Sequence, residues 1–189
     1  MYMKIIKCRT NHIENPLGYA MPHIVVTWQV EDAKSKFQTA ARIQVSETSD
    51  MKLIIYDTEK CAELSNLGVQ IPIQVKPRTR YYWQVTVWGD ADEIAVSDVN
   101  WFETGKGKEP WNANWVSPKQ WENKAHPYIR KVVTIPKKII EARAYVVGLG
   151  VYDFYLNGNK VGNEYLAPGC TTYDEWTQIY TYDITEGLA

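Results

Sequence analysis

The sequence predicts an all-β chain folded as two sandwiches in tandem, and three observations lead there. Short runs with period-two alternation, punctuated by turn residues, recur through the first hundred or so residues, which is the pattern of half-buried strands. Further on, Asn157-Gly158 lies between two β-type runs and supplies the positive φ that both central residues of a tight hairpin turn need. Between these regions Thr104-Gly105-Lys106-Gly107-Lys108-Glu109-Pro110 is rich in glycine and lysine and poor in apolar residues, the composition of a linker. The boundary is therefore expected near residues 104–114, with one domain over 1–105 and a second over 112–189.

In the first domain residues 3–7 give a short opening run, and Asn15-Pro16-Leu17-Gly18 gives a turn. Residues 23–30 alternate, with Ile24, Val26, Trp28 and Val30 on one face and Val25, Thr27 and Gln29 on the other, so one face is buried. Residues 39–46 follow with Ala41, Ile43 and Val45 in phase, and residues 51–56 and 68–75 add two strands. The clearest run is 80–88: Tyr81, Trp83, Val85 and Val87 point one way, Tyr82, Gln84, Thr86 and Trp88 the other. Gly89-Asp90-Ala91-Asp92 then turns the chain into residues 94–97 and 99–103. About seven strands over about a hundred residues is the count of an immunoglobulin-like sandwich.

The second domain is expected to begin at Trp115-Val116. Residues 128–135 alternate, Pro136-Lys137-Lys138 turns the chain, and residues 141–147 lead through Tyr145-Val146-Val147 to Gly148. A run over 151–156 reaches the Asn157-Gly158 turn, Lys160-Val161 starts the return, and Gly162 ends it. A last strand covers 178–184, giving five or six in roughly 75 residues, whereas complete jelly rolls have about eight.

Composition narrows the function. The 189 residues carry a formal charge of −1 with no basic stripe, which argues against a nucleic-acid partner. No run approaches the apolar length of a membrane span, and residues 1–20 lack the pattern of a secretory signal, so a cytoplasmic location is expected. Cys8, Cys61 and Cys170 are widely spaced and form no metal-ligating pattern; free thiols fit a reducing compartment. His12, His23 and His126 stand far apart, and neither G-x-S-x-G nor H-E-x-x-H occurs.

The stretch 144–169 resembles the N-terminal β-sandwich module of bacterial α-L-rhamnosidases. The residues that carry the likeness are Gly148-Leu149-Gly150, Tyr152, Tyr155-Leu156-Asn157-Gly158, Val161-Gly162, Leu166, Pro168-Gly169, Tyr173 and Tyr182-Asp183-Ile184-Thr185, in matching order. The chain departs from the pattern at Cys170, Thr172 and Trp176. Upstream, Val75-x-Pro77-x-Thr79-x-Tyr81 resembles the run that leads into the sixth strand of fibronectin type III domains, and the same rhamnosidases commonly open with such a domain. Their familiar runs stand here as residues 38–45 and 79–88. The resemblance implies that the Tyr81 hydroxyl bonds back to the backbone at the sheet corner and that Trp28 is the core tryptophan. It further implies a fibronectin type III-like sandwich followed by the start of a jelly-roll-like one, cut short, with the α/α-barrel that hydrolyses terminal α-L-rhamnose, by inversion, lying outside the chain.

Hydrolysis of a glycoside needs two facing carboxyl groups, one kept protonated. Asp90, Asp92 and Glu93 sit in one loop and Asp153, Glu164, Asp174, Glu175 and Asp183 are scattered, so no catalytic pair is assigned and the chain itself is expected to be inactive. For sugar binding, Tyr152, Tyr155, Asn157, Tyr173, Asp174 and Trp176, with Asn159, offer aromatic faces and short polar groups; the plainer reading makes the two tyrosines sandwich residues and Asn157 only a turn. The resemblance implies a module some of whose rhamnosidase relatives bind rhamnose beside a calcium ion, and Asn163, Glu164, Thr172 and Asp174 would give such an ion a few of the six to eight oxygens it takes. Trp101, Trp111, Trp115 and Trp121 are either stacking platforms for sugar rings or wedges that make the joint between domains inflexible. The expected partners are the rest of the parent enzyme, a rhamnose-containing glycan, and a second copy paired through a sheet edge left open near residues 186–189. A free-standing carbohydrate-binding or adhesion module is the alternative.

Overall fold

The computed structural model of the chain describes residues 2–119 and 126–188. It separates into two units, Met1–Gly107 and Lys108–Ala189, and the architecture is all-β.

The first unit is an immunoglobulin-like sandwich of two sheets. β1 (Lys4–Thr10), β3 (Val25–Glu31) and β6 (Val69–Gln70) form one in the order β1-β3-β6. The other runs β2 (Leu17–Tyr19), β9 (Asn100–Thr104), β7 (Arg80–Gly89), β4 (Gln38–Ser46), β5 (Ile54–Asp57), with β8 (Ile94–Val96) also paired to β7. As the alternation requires, Tyr81, Trp83, Val85 and Val87 are at most 1% exposed, while Tyr82, Gln84, Thr86 and Trp88 are half-buried. Facing them in one apolar cluster are Ile24, Val26 and Trp28 from β3, with Ala41, Ile43 and Val45 from β4 and Phe102 from β9. Trp28 is the core tryptophan; its Nε1 donates to Gln38 Oε1 at 3.2 Å, so the indole loses no hydrogen bond on burial.

The corner of the sandwich is built around Tyr81. Its hydroxyl accepts a hydrogen bond from Lys76 N at 2.9 Å, and the ring stacks on Phe102 with centroids 5.4 Å apart. The carbonyl of Lys76 accepts from Thr104 Oγ1 at 2.6 Å, which in turn accepts from Thr79 N at 3.0 Å. The backbone N–H and C=O of Lys76 are thus both satisfied by side chains.

Several boundaries differ from expectation, each for a local reason. The predicted turn at residues 15–18 is only half right: Asn15 is left-handed (φ 45), but Leu17–Tyr19 forms β2, parallel to β9. The predicted linker begins too early, because Thr104 ends β9 and Gly105 N donates to Tyr19 O at 3.0 Å. Gly105 is required there, since a Cβ would lie 2.3 Å from Gly18 O. The strand expected at 68–75 stops after Gln70, where Pro72 removes a donor and Ile73 N curls back to Ile71 O at 3.0 Å. Residues 51–53 are lost from β5 because Met51 takes a positive φ and bonds back to Thr48 O at 3.1 Å.

Arg42 and Arg80 carry ion pairs on the outer face of the larger sheet. Arg42 grips both carboxylate oxygens of Asp57, which also accepts from Gln44 Nε2 at 3.0 Å, and the Arg42 hydrogen bond holds Asp57 below the usual carboxylate range. Arg80 pairs with the buried Glu103 at 2.8 Å and lies over Trp101, 4.0 Å from the ring centroid.

In the second unit β10 (Arg143–Val147) pairs antiparallel with β13 (Ile179–Asp183), setting Tyr145 opposite Thr181. A hairpin follows the predicted turn: β11 (Tyr155–Leu156) and β12 (Asn159–Lys160) flank Asn157 (φ 50) and Gly158 (φ 86). A 3-10 turn covers Glu186–Leu188, the place at which the sequence reading expected an open sheet edge. The strand predicted at 128–135 does not form. Alternation supplies a face but not a ladder, and among the described residues no strand pairs with this segment; Tyr128 is 100% exposed.

Removing the corner hydroxyl with Tyr81→Phe strands a Lys76 amide and is expected to cost about 1–3 kcal/mol. Arg80→Met takes the Arg80 guanidinium away from the buried Glu103 carboxylate, at a cost on the order of 3 kcal/mol. Urea midpoints of the two variants against the parent chain measure both, and an unshifted midpoint for Tyr81→Phe would remove the corner from the stability account.

Candidate functional site

The second unit's polar and aromatic groups are organised by glycines. At Gly148 a Cβ would come within 2.5 Å of the Tyr152 ring, so the missing side chain is what lets that ring lie against the backbone. Tyr152 N donates to Ala167 O at 2.9 Å, fixing the strand-like run that follows. Along it, parity sorts the side chains. Tyr152, Phe154 and Leu156 are half-buried; Val151, Asp153 and Tyr155 are exposed, Tyr155 by 52%.

The inward group meets Tyr182, a buried residue of β13: Phe154 lies 5.5 Å and Tyr180 6.0 Å from it, ring centroid to centroid. Tyr152 joins them, and burial followed by its contact with Tyr182 pushes its phenol well above the ordinary tyrosine range. Burial raises Tyr182 as well. These phenols stay neutral at any physiological pH and act as packing groups.

The outward group centres on Lys160. Its Nζ contacts Asp153 Oδ1 at 2.7 Å, donates to Glu164 O at 3.3 Å and lies 5.1 Å from the centre of the Tyr165 ring, and the Asp153 bond raises its pKa. Tyr155 stands across the hairpin from this lysine. Asn157 holds the turn, its Nδ2 donating to Gly187 O at 3.0 Å.

Tyr173, Asp174 and Trp176 belong to a separate turn. Glu175 N and Trp176 N both donate to Thr172 O, at 2.8 and 3.0 Å, and Thr171 Oγ1 donates to Trp176 O at 2.8 Å. All three are exposed, Trp176 by 58%. The structure therefore distributes the six predicted residues over an interior position (Tyr152), a hairpin (Tyr155, Asn157) and this turn. Among the described residues, no hydrogen bond or ring pair joins the turn to the hairpin. Sequence reasoning passed over Lys160, Tyr165, Tyr180 and Tyr182; the period-two spacing of Tyr180 and Tyr182 was the available signal for the last pair.

The residues considered as calcium donors lie on different local features. Glu164 lies against the Gly162 backbone, near Tyr182, while Thr172 and Asp174 belong to the turn. Among the described residues no three His, Cys, Asp or Glu side chains converge. Other acids are engaged locally: Asp183 pairs with Arg143 at 3.0 Å, and Asp90 and Glu93 accept backbone amides. Of the boundary tryptophans, Trp101 has Arg80 over its ring, Trp111 and Trp115 are exposed, and Trp121 lies outside the described residues.

Residues 5–108 match the family described as Rha78A-like, N-terminal immunoglobulin domain. The chain belongs to this family. Residues 137–189 match a second family, the alpha-L-rhamnosidase N-terminal domain, so the two units correspond in order to the N-terminal region of α-L-rhamnosidases. An alpha-L-rhamnosidase of Alteromonas sp. (strain LOR) is 33% identical over 190 residues, covering 90% of this chain and 20% of that protein. One from Streptomyces avermitilis is 46% identical over 52 residues, 28% of this chain and 5% of the relative. The solved structure of alpha-L-rhamnosidase from Dictyoglumus thermophilum superposes with a TM-score of 0.82 at 27% identity, covering 97% of this chain and 23% of that one. The chain thus spans about a fifth of the length of the relatives it matches.

Gly148→Ala forces the Tyr152 ring from its place and is expected to destabilise the second unit by about 1–3 kcal/mol. Thermal melting followed by tyrosine near-ultraviolet dichroism measures this; an unchanged melt would mean that the ring steps aside freely.

Proposed function

We propose that this chain is a non-catalytic N-terminal part of an α-L-rhamnosidase that releases terminal α-L-rhamnose, and that its two units serve as structural modules for the catalytic part. The observation that carries this reading is the pair of family matches, in the relatives' own domain order, on a chain that spans about a fifth of those relatives. In finer terms, the first unit is a fibronectin type III-like sandwich, a reading supported by the Tyr81 corner, and the second belongs to a jelly-roll-like sandwich. Three cysteines without disulfides, Cys170 exposed among them, favour a reducing, cytoplasmic setting.

The test is direct. Purified chain is incubated with an aryl α-L-rhamnoside, and no release of the aryl group is expected; turnover by this chain alone would overturn the proposal.

A second reading is a sugar-binding module, favoured by the exposed Tyr173 and Trp176 on one short turn. Titration calorimetry with L-rhamnose, with and without calcium, separates the two. Saturable heat that Trp176→Ala abolishes would establish binding, whereas the scaffold reading expects none. Pairing with a second copy through strand edges predicts a dimer in light scattering at high concentration, and a monomer there would exclude it.

A further inference from the structure

The β3–β4 loop and the β7–β8 turn are remote in sequence, yet one hydrogen-bond network joins them. A single oxygen of Glu93 accepts from Lys34 N at 2.9 Å, Ser35 N at 2.7 Å and the Ser35 hydroxyl at 2.7 Å. Asp90 Oδ1 accepts from Lys36 N at 2.8 Å and Phe37 N at 3.3 Å. In return Asp90 N donates to Phe37 O at 3.1 Å and Ala91 N to Ser35 Oγ at 3.2 Å. Four consecutive amides are therefore held by two carboxylates rather than by a strand ladder. Gly89 makes the approach possible, because a Cβ there would stand 2.1 Å from Ser35 Oγ.

Side-chain packing adds little to the loop. Lys34 and Lys36 are exposed, and Phe37, its one large apolar side chain, is 71% exposed, so apolar burial contributes little to closure. Hydrogen bonds to an ionised acceptor are roughly twice as strong as neutral ones, and a protonated carboxyl would aim its own proton where donors already converge. We infer that residues 34–37 form a clasp on this end of the first unit, closed on the Glu93 carboxylate with Asp90 accepting the next two amides, and released as a unit when Glu93 takes up a proton while the core stays folded.

The charges facing Glu93 favour the closed form. Lys34 attracts the anion, Lys36 follows on the same loop, Asp90 and Asp92 on the turn oppose it, and Asp32 at the loop's start is occupied by Lys4 at 3.1 Å. The Ser35 hydroxyl, then its amide, hold Glu93 below the usual carboxylate range. A depressed carboxylate stabilises the closed form fully above its ordinary pKa of about 4.5 and loses that contribution as the pH falls through the lowered value.

Amide hydrogen exchange on the full chain tests the clasp. In Glu93→Gln at neutral pH, the protection factors of Lys34, Ser35, Lys36 and Phe37 are expected to fall together by about tenfold or more, the equivalent of one charge-assisted bond. Those of Ile43 and Val85 should hold. Wild-type chain taken from pH 5 to pH 3 is expected to show the same selective loss, with no substitution involved. Loop amides that keep their protection in both experiments, or core amides that fall in step with the loop, would overturn the inference.

Discussion

Tyr81, Trp83, Val85 and Val87 leave water together because they share one face of a single strand, and the parity of that strand governs the first unit. A slip of one residue would drive Tyr82, Gln84 and Thr86 into the core, so the register is held by the hydrophobic effect itself. β4 is locked in the same phase, with Ala41 opposite Val87, Ile43 opposite Val85 and Val45 opposite Trp83. The opposite parity then brings Arg80 beside Glu103 and Tyr82 beside Trp101 on the outer face. The buried ion pair is therefore a consequence of the core, and the guanidinium over Trp101 is a further consequence of the ion pair.

The second unit follows another rule. Its strands are short, and close approach is bought with missing side chains: Gly148 beneath Tyr152, Gly162 near Tyr182, and Gly187 beside Leu156, where a Cβ would come within 2.7 Å. Of the glycines that mark the family resemblance, Gly148 and Gly162 are thus packing positions against Tyr152 and Tyr182. The exposed aromatics, Tyr155, Tyr173 and Trp176, lie outside that cluster, so structural and surface roles fall on different residues.

What could be read in the sequence was local. Period-two alternation located β3, β4 and β7, and Asn157-Gly158 located the hairpin, because in each case the physical cause lies within a few residues; the corner at Tyr81 was implied by the resemblance of residues 75–81 to a fibronectin type III run. What escaped depended on partners far along the chain. Leu17–Tyr19 is a strand only because β9 lies beside it, residues 128–135 alternate without pairing to a strand among the described residues, and Asp90 and Glu93 hold a loop that is remote from them in sequence. The candidate site was half legible: parity alone separates Tyr152 from Tyr155, but nothing local shows that Tyr173 and Trp176 sit on a turn of their own.

The parallel pairing of β2 with β9 also bears on the order of events during synthesis. Trp101 N donates to Asn15 Oδ1 at 2.9 Å across 86 residues, and Glu103 N donates to Pro16 O at 2.8 Å. β1 and β3 are neighbours in the chain and can meet early, whereas residues 15–19 have no ladder until residues 100–104 have left the ribosome. Closure entropy of that size places the first unit among slow, non-local topologies. Its N-terminal edge is therefore the last part of the sandwich to be sealed, and the nascent chain carries it open for most of the time the domain takes to be made.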